Sequence, residues 1–143
     1  MPSRIVSLAA GAYALTSDAR ADDIAPGLWE LSLEARVEAE PGFQPEPTKV
    51  NQCVTKDDAT DPSRILGPIA SAGATDCRYS EKSYVGDTFR FTMQCSGLLE
   101  LRTTGEVTLS ATLLRGLITT SSTLDGRKVE FKSTLVGRRL GDC

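Results

Sequence analysis

Between Cys77 and Gly97 the chain reads CRYSEKSYVGDTFRFTMQCSG, two strand-like stretches folded back at Gly86-Asp87 with a cysteine near each open end. Phe89, Phe91, Met93 and Cys95 alternate with Thr88, Arg90, Thr92 and Gln94. A side-chain period of two puts the first set on one apolar face and leaves the second set wet. The hairpin brings both cysteines to one end, where each can be stapled to a different distant part of the chain. A three-residue turn over Gly86 to Thr88 would place Cys77 and Cys95 on the inward face with Val85, Phe89 and Phe91.

The same alternation recurs on either side. Trp29, Leu31, Leu33, Ala35 and Val37 interleave with Glu30, Ser32, Glu34, Arg36 and Glu38. A half-buried antiparallel strand looks like this, and the single tryptophan at its start is a core anchor. Thr48 to Val54 is a short strand that delivers Cys53. Leu99, Leu101, Thr103, Gly105, Val107 and Leu109 form another inward set, with Gly105 marking a bend or a close backbone approach. Thr112 to Leu124 is less regular, with Leu114, Gly116, Ile118, Thr120 and Leu124 on one side and Leu113 and Leu117 on the other. Asp125-Gly126 is a strong hairpin turn, and Lys128 to Arg139 alternates again with Val129, Phe131, Ser133, Leu135 and Gly137 inward. The expected fold is mainly β, an antiparallel meander of about seven strands curled into a barrel or half-barrel with one short helical insertion.

The connections carry their own signals. Glu38 to Thr48 holds Pro41, Pro45 and Pro47, so it is an exposed loop, with Phe43 as its one large apolar residue. Thr55 followed by Asp58 resembles a capping box, and Asp61-Pro62 repeats a helix-start signal. One helix or two short turns are expected through about Leu66, stopping at Gly67-Pro68, with Ser71 to Thr75 as a linker. Asp57, Asp58 and Asp61 lack the alternating ligands and glycine of a calcium loop and read as helix-start carboxylates.

Arg4, the apolar run Ile5 to Leu15 and Ala19-Arg20-Ala21 read as a signal peptide over residues 1–21. The run is too short to span a bilayer, and no cysteine follows the cleavage point to carry a lipid, so no membrane anchor is expected. Residues 22–143 then form a single disulfide-bearing domain, periplasmic or secreted and monomeric. Its four cysteines, Cys53, Cys77, Cys95 and Cys143, are an even set without close metal-ligand spacing, which reads as two disulfides. Of the three connectivities, Cys53–Cys77 with Cys95–Cys143 is favoured. Without residues 1–21 the 14 Lys+Arg and 18 Asp+Glu leave a formal charge of −4, which argues against nucleic acid or an anionic membrane as a partner.

The chain contains no histidine, which removes the commonest general base and metal ligand. No lysine lies in an apolar run, the carboxylates alternate outward, and there is neither a phosphate loop nor a zinc-protease helix. No catalytic residue, metal or cofactor is therefore expected. A non-enzymatic binding protein is expected instead, for a small apolar ligand or an envelope component, with Trp29, Phe43, Phe89, Phe91 and Phe131 as contacts. The alternative is a protein-interaction module, such as a hydrolase inhibitor, acting through its loops.

A set of landmarks spans nearly all of residues 22–143. Pro26-Gly27-Leu28-Trp29-Glu30 opens it, followed by Gln52-Cys53 before a Thr-x-x-Asp helix start, and Asp76-Cys77. Met93-Gln94-Cys95-Ser96-Gly97, Thr104-Gly105-Glu106 and Arg139-Leu140-Gly141-Asp142-Cys143 complete it. The set resembles the exported proteobacterial family known as domain of unknown function 3617. Where that family often carries Trp, this chain has Phe91. The resemblance implies an exported, disulfide-bearing, β-rich protein and transfers no catalytic residue.

Overall fold

The computed structural model describes residues 24–37, 45–71, 74–97 and 100–143, with Gly11 and Gly42 besides. Apart from Gly11, the signal segment lies outside the described residues, as does Phe43. Seven strands follow in chain order: β1 (Gly27–Val37), β2 (Thr48–Val54), β3 (Cys77–Val85), β4 (Thr88–Ser96), β5 (Glu100–Leu109), β6 (Leu113–Leu124) and β7 (Arg127–Gly141). Two helices, α1 (Lys56–Ala59) and α2 (Pro62–Ser71), stand between β2 and β3.

All seven strands join one antiparallel sheet in the order β2-β1-β7-β6-β5-β4-β3. From β3 to β7 it is a plain meander. The chain's first two strands then add on the far side of β7. The sheet does not close, so the result is a half-barrel in which, among the described residues, β2 and β3 are the unpaired edges, and the helical insertion between them packs on its inner face. Each strand sends its apolar parity inward, as the alternation requires: Trp29 and Leu31, Phe89, Phe91 and Met93, Val107, Leu114 and Ile118, and Leu135 are all buried in one core with Ile65, Leu66 and Ile69 of α2.

The helical insertion departs from expectation in length. Thr55 does cap α1 with a capping box, its side chain accepting from the Asp58 N–H while the Asp58 carboxylate accepts from the Thr55 N–H. Asp61 likewise accepts from the backbone N–H and hydroxyl of Ser63. But α2 does not stop at Gly67-Pro68; it continues to Ser71 with Pro68 inside it. A proline inside a helix removes one backbone hydrogen bond and costs roughly 3 kcal/mol. Burying Ile65, Leu66 and Ile69 against the sheet is worth roughly 1.5–3 kcal/mol each. Burial wins, and the helix runs on.

The β3–β4 hairpin also differs in register. Its turn is the two-residue Gly86-Asp87, with Val85 opposite Thr88, so Val85 points outward and is 66% exposed. A bulge at Ser80, between Tyr79 and Glu81, shifts the phase and returns Tyr79 and Cys77 to the inner face. Ser80 Oγ donates to the Thr92 carbonyl beneath it, and Thr92 is buried although its parity is outward.

The disulfide pairing corrects the favoured one. The bridges are Cys77–Cys95 and Cys53–Cys143. The hairpin strands stay paired to their open ends, so Cys77 and Cys95 stand directly opposite each other and neither is free to reach away. Cys53 stands opposite Leu28, whose other neighbour is Gly141, so the C-terminal cysteine reaches Cys53 across β1.

Candidate functional site

The inner face is filled. Trp29 and Phe89 are fully buried and Phe91 nearly so. Trp29 Nε1 donates to the Ala25 carbonyl at 2.9 Å, which satisfies the one polar atom of the ring. Phe89 stacks on Phe91, and Tyr79 meets Phe91 edge-on. Phe89, Phe91 and Tyr79 touch one another and share one buried core with Trp29 and with Ile65, Leu66 and Ile69 of α2. Phe131, near the opposite end of the inner face, is half-buried. The structure thus brings Phe89 and Phe91 together, while Trp29 stands apart from them on β1.

Where α2 meets β3, a small polar cluster closes the inner face. Tyr79 Oη donates to the Ser63 carbonyl at 2.8 Å, and Tyr84 Oη donates to Asp61 Oδ1 at 3.4 Å. The Lys82 ammonium lies 5.5 Å from the Tyr79 ring centre. Burial, with the Asp61 charge adding to it, raises both phenols, Tyr84 to about 12. Burial of Asp61 works against its charge, but the Ser63 hydrogen bonds and the nearby Lys82 and Arg64 outweigh it and hold its carboxyl below the usual range. Both tyrosines are thus kept as neutral donors, which suits anchoring the helix and not acid–base chemistry.

Two clefts lie on the outer face, both open to solvent. The larger, about 680 Å³, crosses β4 to β6 over the bare backbone of Gly105 and Gly116, between Arg90, Glu106, Arg115 and Leu117. Arg90 and Glu106 pair at 3.4 Å, both largely exposed. The smaller, about 380 Å³, lies toward the other end of the same strands, among Gln94, Glu100, Arg102, Ser121 and Lys128. The larger is lined by one carboxylate, Glu106, beside Arg90 and Arg115, and the smaller by Glu100 beside Arg102 and Lys128. Among the described residues no group of three or more metal-ligating side chains converges, and no helix is long and apolar enough to cross a membrane.

Apolar groups do reach solvent at one end of the sheet. Tyr84 and Val85 at the hairpin tip are 44% and 66% exposed, and Leu140 near the C-terminus is 55% exposed. The alternation assigned Val85 to the interior. The two-residue turn sets Val85 opposite Thr88 and so outward, where a three-residue turn would have put it inward; the bulge at Ser80 is what lets Cys77 still face in.

Residues 24–143 match the protein family of unknown function DUF3617. The chain belongs to the DUF3617 family. No curated protein and no solved structure matches it. For this DUF3617 member the landmark residues acquire structural roles. Trp29 is the core anchor of β1, Gly105 gives room to Phe91, and Arg139 ties the chain ends by donating to the Pro26 carbonyl at 2.8 Å and pairing with Asp142 at 2.6 Å.

Proposed function

We propose that this DUF3617 member is an exported, non-enzymatic binding protein that engages another exported protein through its surface. Residues 1–21 direct it out of the cytoplasm, and the two disulfides suit an oxidising compartment. The observation that carries the reading is the contrast between a filled interior and an apolar hairpin tip. The wall that would hold a small apolar ligand is packed against α2, whereas Val85 is left two-thirds exposed beside Tyr84. Neighbouring exposed apolar side chains at a hairpin tip offer a protein partner a contact, with the Tyr84 ring as the anchor and Val85 extending the apolar area.

The test combines two measurements. Native mass spectrometry of protein isolated from its own compartment is expected to give the bare disulfide-bonded mass; a retained small molecule would favour the ligand reading. Cross-linking in the same compartment, with wild type and Val85→Asp compared, is expected to lose a discrete protein adduct in the variant. Val85 is two-thirds exposed, so the variant should fold normally. An adduct unchanged by Val85→Asp would count against the hairpin tip.

A further inference from the structure

The two free edges of the half-barrel are not equivalent. β3 carries the protections that natural edge strands use: a bulge at Ser80 and the charged residues Arg78, Glu81 and Lys82. β2 carries almost none. Its seven residues, TKVNQCV, hold one charge and no proline, and all seven pair with β1 in unbroken register. The strand is exposed from Thr48 to Asn51, with Val50 at 41%. Its far end is covalently tied to the C-terminus through Cys53–Cys143, so the edge is held in shape before anything meets it. A straight, rigid and nearly uncharged edge is a template for another strand.

We propose that a second copy of this chain pairs with it, β2 against β2, antiparallel about a two-fold axis at Asn51. A strand paired with itself in this way forms an isologous contact, which closes after two copies. Full overlap sets Thr48 opposite Val54, Lys49 opposite Cys53, Val50 opposite Gln52, and Asn51 opposite its own equivalent. The sequence suits that register in three ways. The lone Lys49 never faces itself: the two ammonium groups stand on opposite sides of the axis, roughly 13 Å apart along the strands, beyond the screening length at physiological salt. The two Val50 side chains, now exposed, become diagonal neighbours on the inner face, close enough to cover one another. The two Asn51 amides meet across the axis on the outer face, where each can donate to the other. A pairing of seven residues a side buries little area, so the dimer is weak and its population follows concentration.

The test uses the processed chain with both disulfides intact. Sedimentation over about a hundredfold range of concentration should shift from monomer to dimer. Hydrogen exchange at the top of that range should slow about tenfold in β2 and stay unchanged in β3. Asn51→Lys sets two like charges across the axis at an exposed position and should abolish the dimer. Mixing it with Asn51→Glu should restore a heterodimer, while Ser83→Lys on the opposite edge should change nothing. A monomer at every concentration, protection of β3 in place of β2, or dimerisation of Asn51→Lys like wild type would each overturn the proposal. If a variant fails to fold by circular dichroism, the wild-type exchange pattern still decides. Loss of the Val85-dependent adduct leaves this result untouched, because the hairpin tip and β2 are at separate places in the sheet.

Discussion

The ring of Phe91 lies over the backbone of Gly105, its directly opposed partner across β4 and β5. A Cβ added at Gly105 would overlap the ring edge. Gly116 and Gly137 repeat the arrangement on the next strands: a Cβ at Gly116 would press on Val107, and one at Gly137 would sit 2.8 Å from Leu31 Cδ2. Three inward glycines on adjacent strands β5, β6 and β7 leave room for large neighbours where the sheet curls. The inner face is therefore filled from side chains of neighbouring strands instead of opening into a cavity.

Gly105→Ala should accordingly destabilise the fold by about 1–3 kcal/mol through overpacking, since Phe91 is buried and has little space to retreat. Urea denaturation would show a lower midpoint with an unchanged slope. A midpoint equal to wild type would mean that the ring moves freely, against the packing described. Combining Gly105→Ala with Phe91→Leu should recover part of the loss, because the two residues share one contact.

Trp29 is the only tryptophan and is fully buried, so the native protein should show blue-shifted emission that moves to the red on unfolding. Trp29→Ala should cost about 3–5 kcal/mol, the range for deleting a large buried aromatic side chain. Thermal or denaturant unfolding read by circular dichroism measures it. A loss well under 1 kcal/mol would contradict a core role.

The two disulfides should differ in consequence. Cys53–Cys143 spans 90 residues and Cys77–Cys95 spans 18. In the chain-entropy account the first contributes roughly 4–5 kcal/mol and the second roughly 3. Cys53 and Cys143 are exposed while Cys95 is buried, so a mild reductant should open the long bridge first. Non-reducing peptide mapping should show both pairs, and timed alkylation should label Cys53 and Cys143 before Cys77 and Cys95. Peptides linking Cys53 to Cys77 would overturn the topology.

Alkaline stability should report the tyrosine cluster. A phenol whose pKa is higher in the folded state binds its proton more tightly there, so its contribution is complete below the unfolded value near 10. It is lost as pH rises toward the folded value, about 12 for Tyr84. Stability should thus be flat up to about pH 10 and fall between there and about 12. Absorbance of tyrosinate followed beside circular dichroism tests this: ionisation of both phenols near pH 10 in a folded protein would refute it. Asp61 acts with the opposite sign, since its lowered carboxyl contributes above the usual carboxylate range, with the contribution lost as pH falls through and below that range. Tyr84→Phe should narrow the alkaline loss and leave the acid limb in place.

Short-range patterns carried most of the fold. The alternation of Trp29, Leu31 and Leu33, of Phe89 to Cys95, and of Phe131 to Gly137 assigns strands and faces because a strand's period is two whatever lies beside it. Thr55 with Asp58, and Gly86-Asp87 with Asp125-Gly126, mark a helix start and two turns through contacts within a few residues. The candidate contacts were less legible. Trp29, Phe89 and Phe91 were visible as inward aromatics, but whether an inward aromatic lines a pocket or packs a core depends on what crosses the face.

Local residue order therefore determined the strands, their inner faces, the capped helix start and an even set of cysteines ready to pair. Tertiary structure decided which cysteines meet, that α2 runs through Pro68, and that Val85 faces solvent. It also decided that the meander stays open, with β2 and β3 as edges. The physical reason is the range of the interactions involved. Period and caps are settled over a few residues. The Cys53–Cys143 bridge exists because Leu28 lies between β2 and β7, and Pro68 is tolerated because Ile65, Leu66 and Ile69 find a sheet to cover.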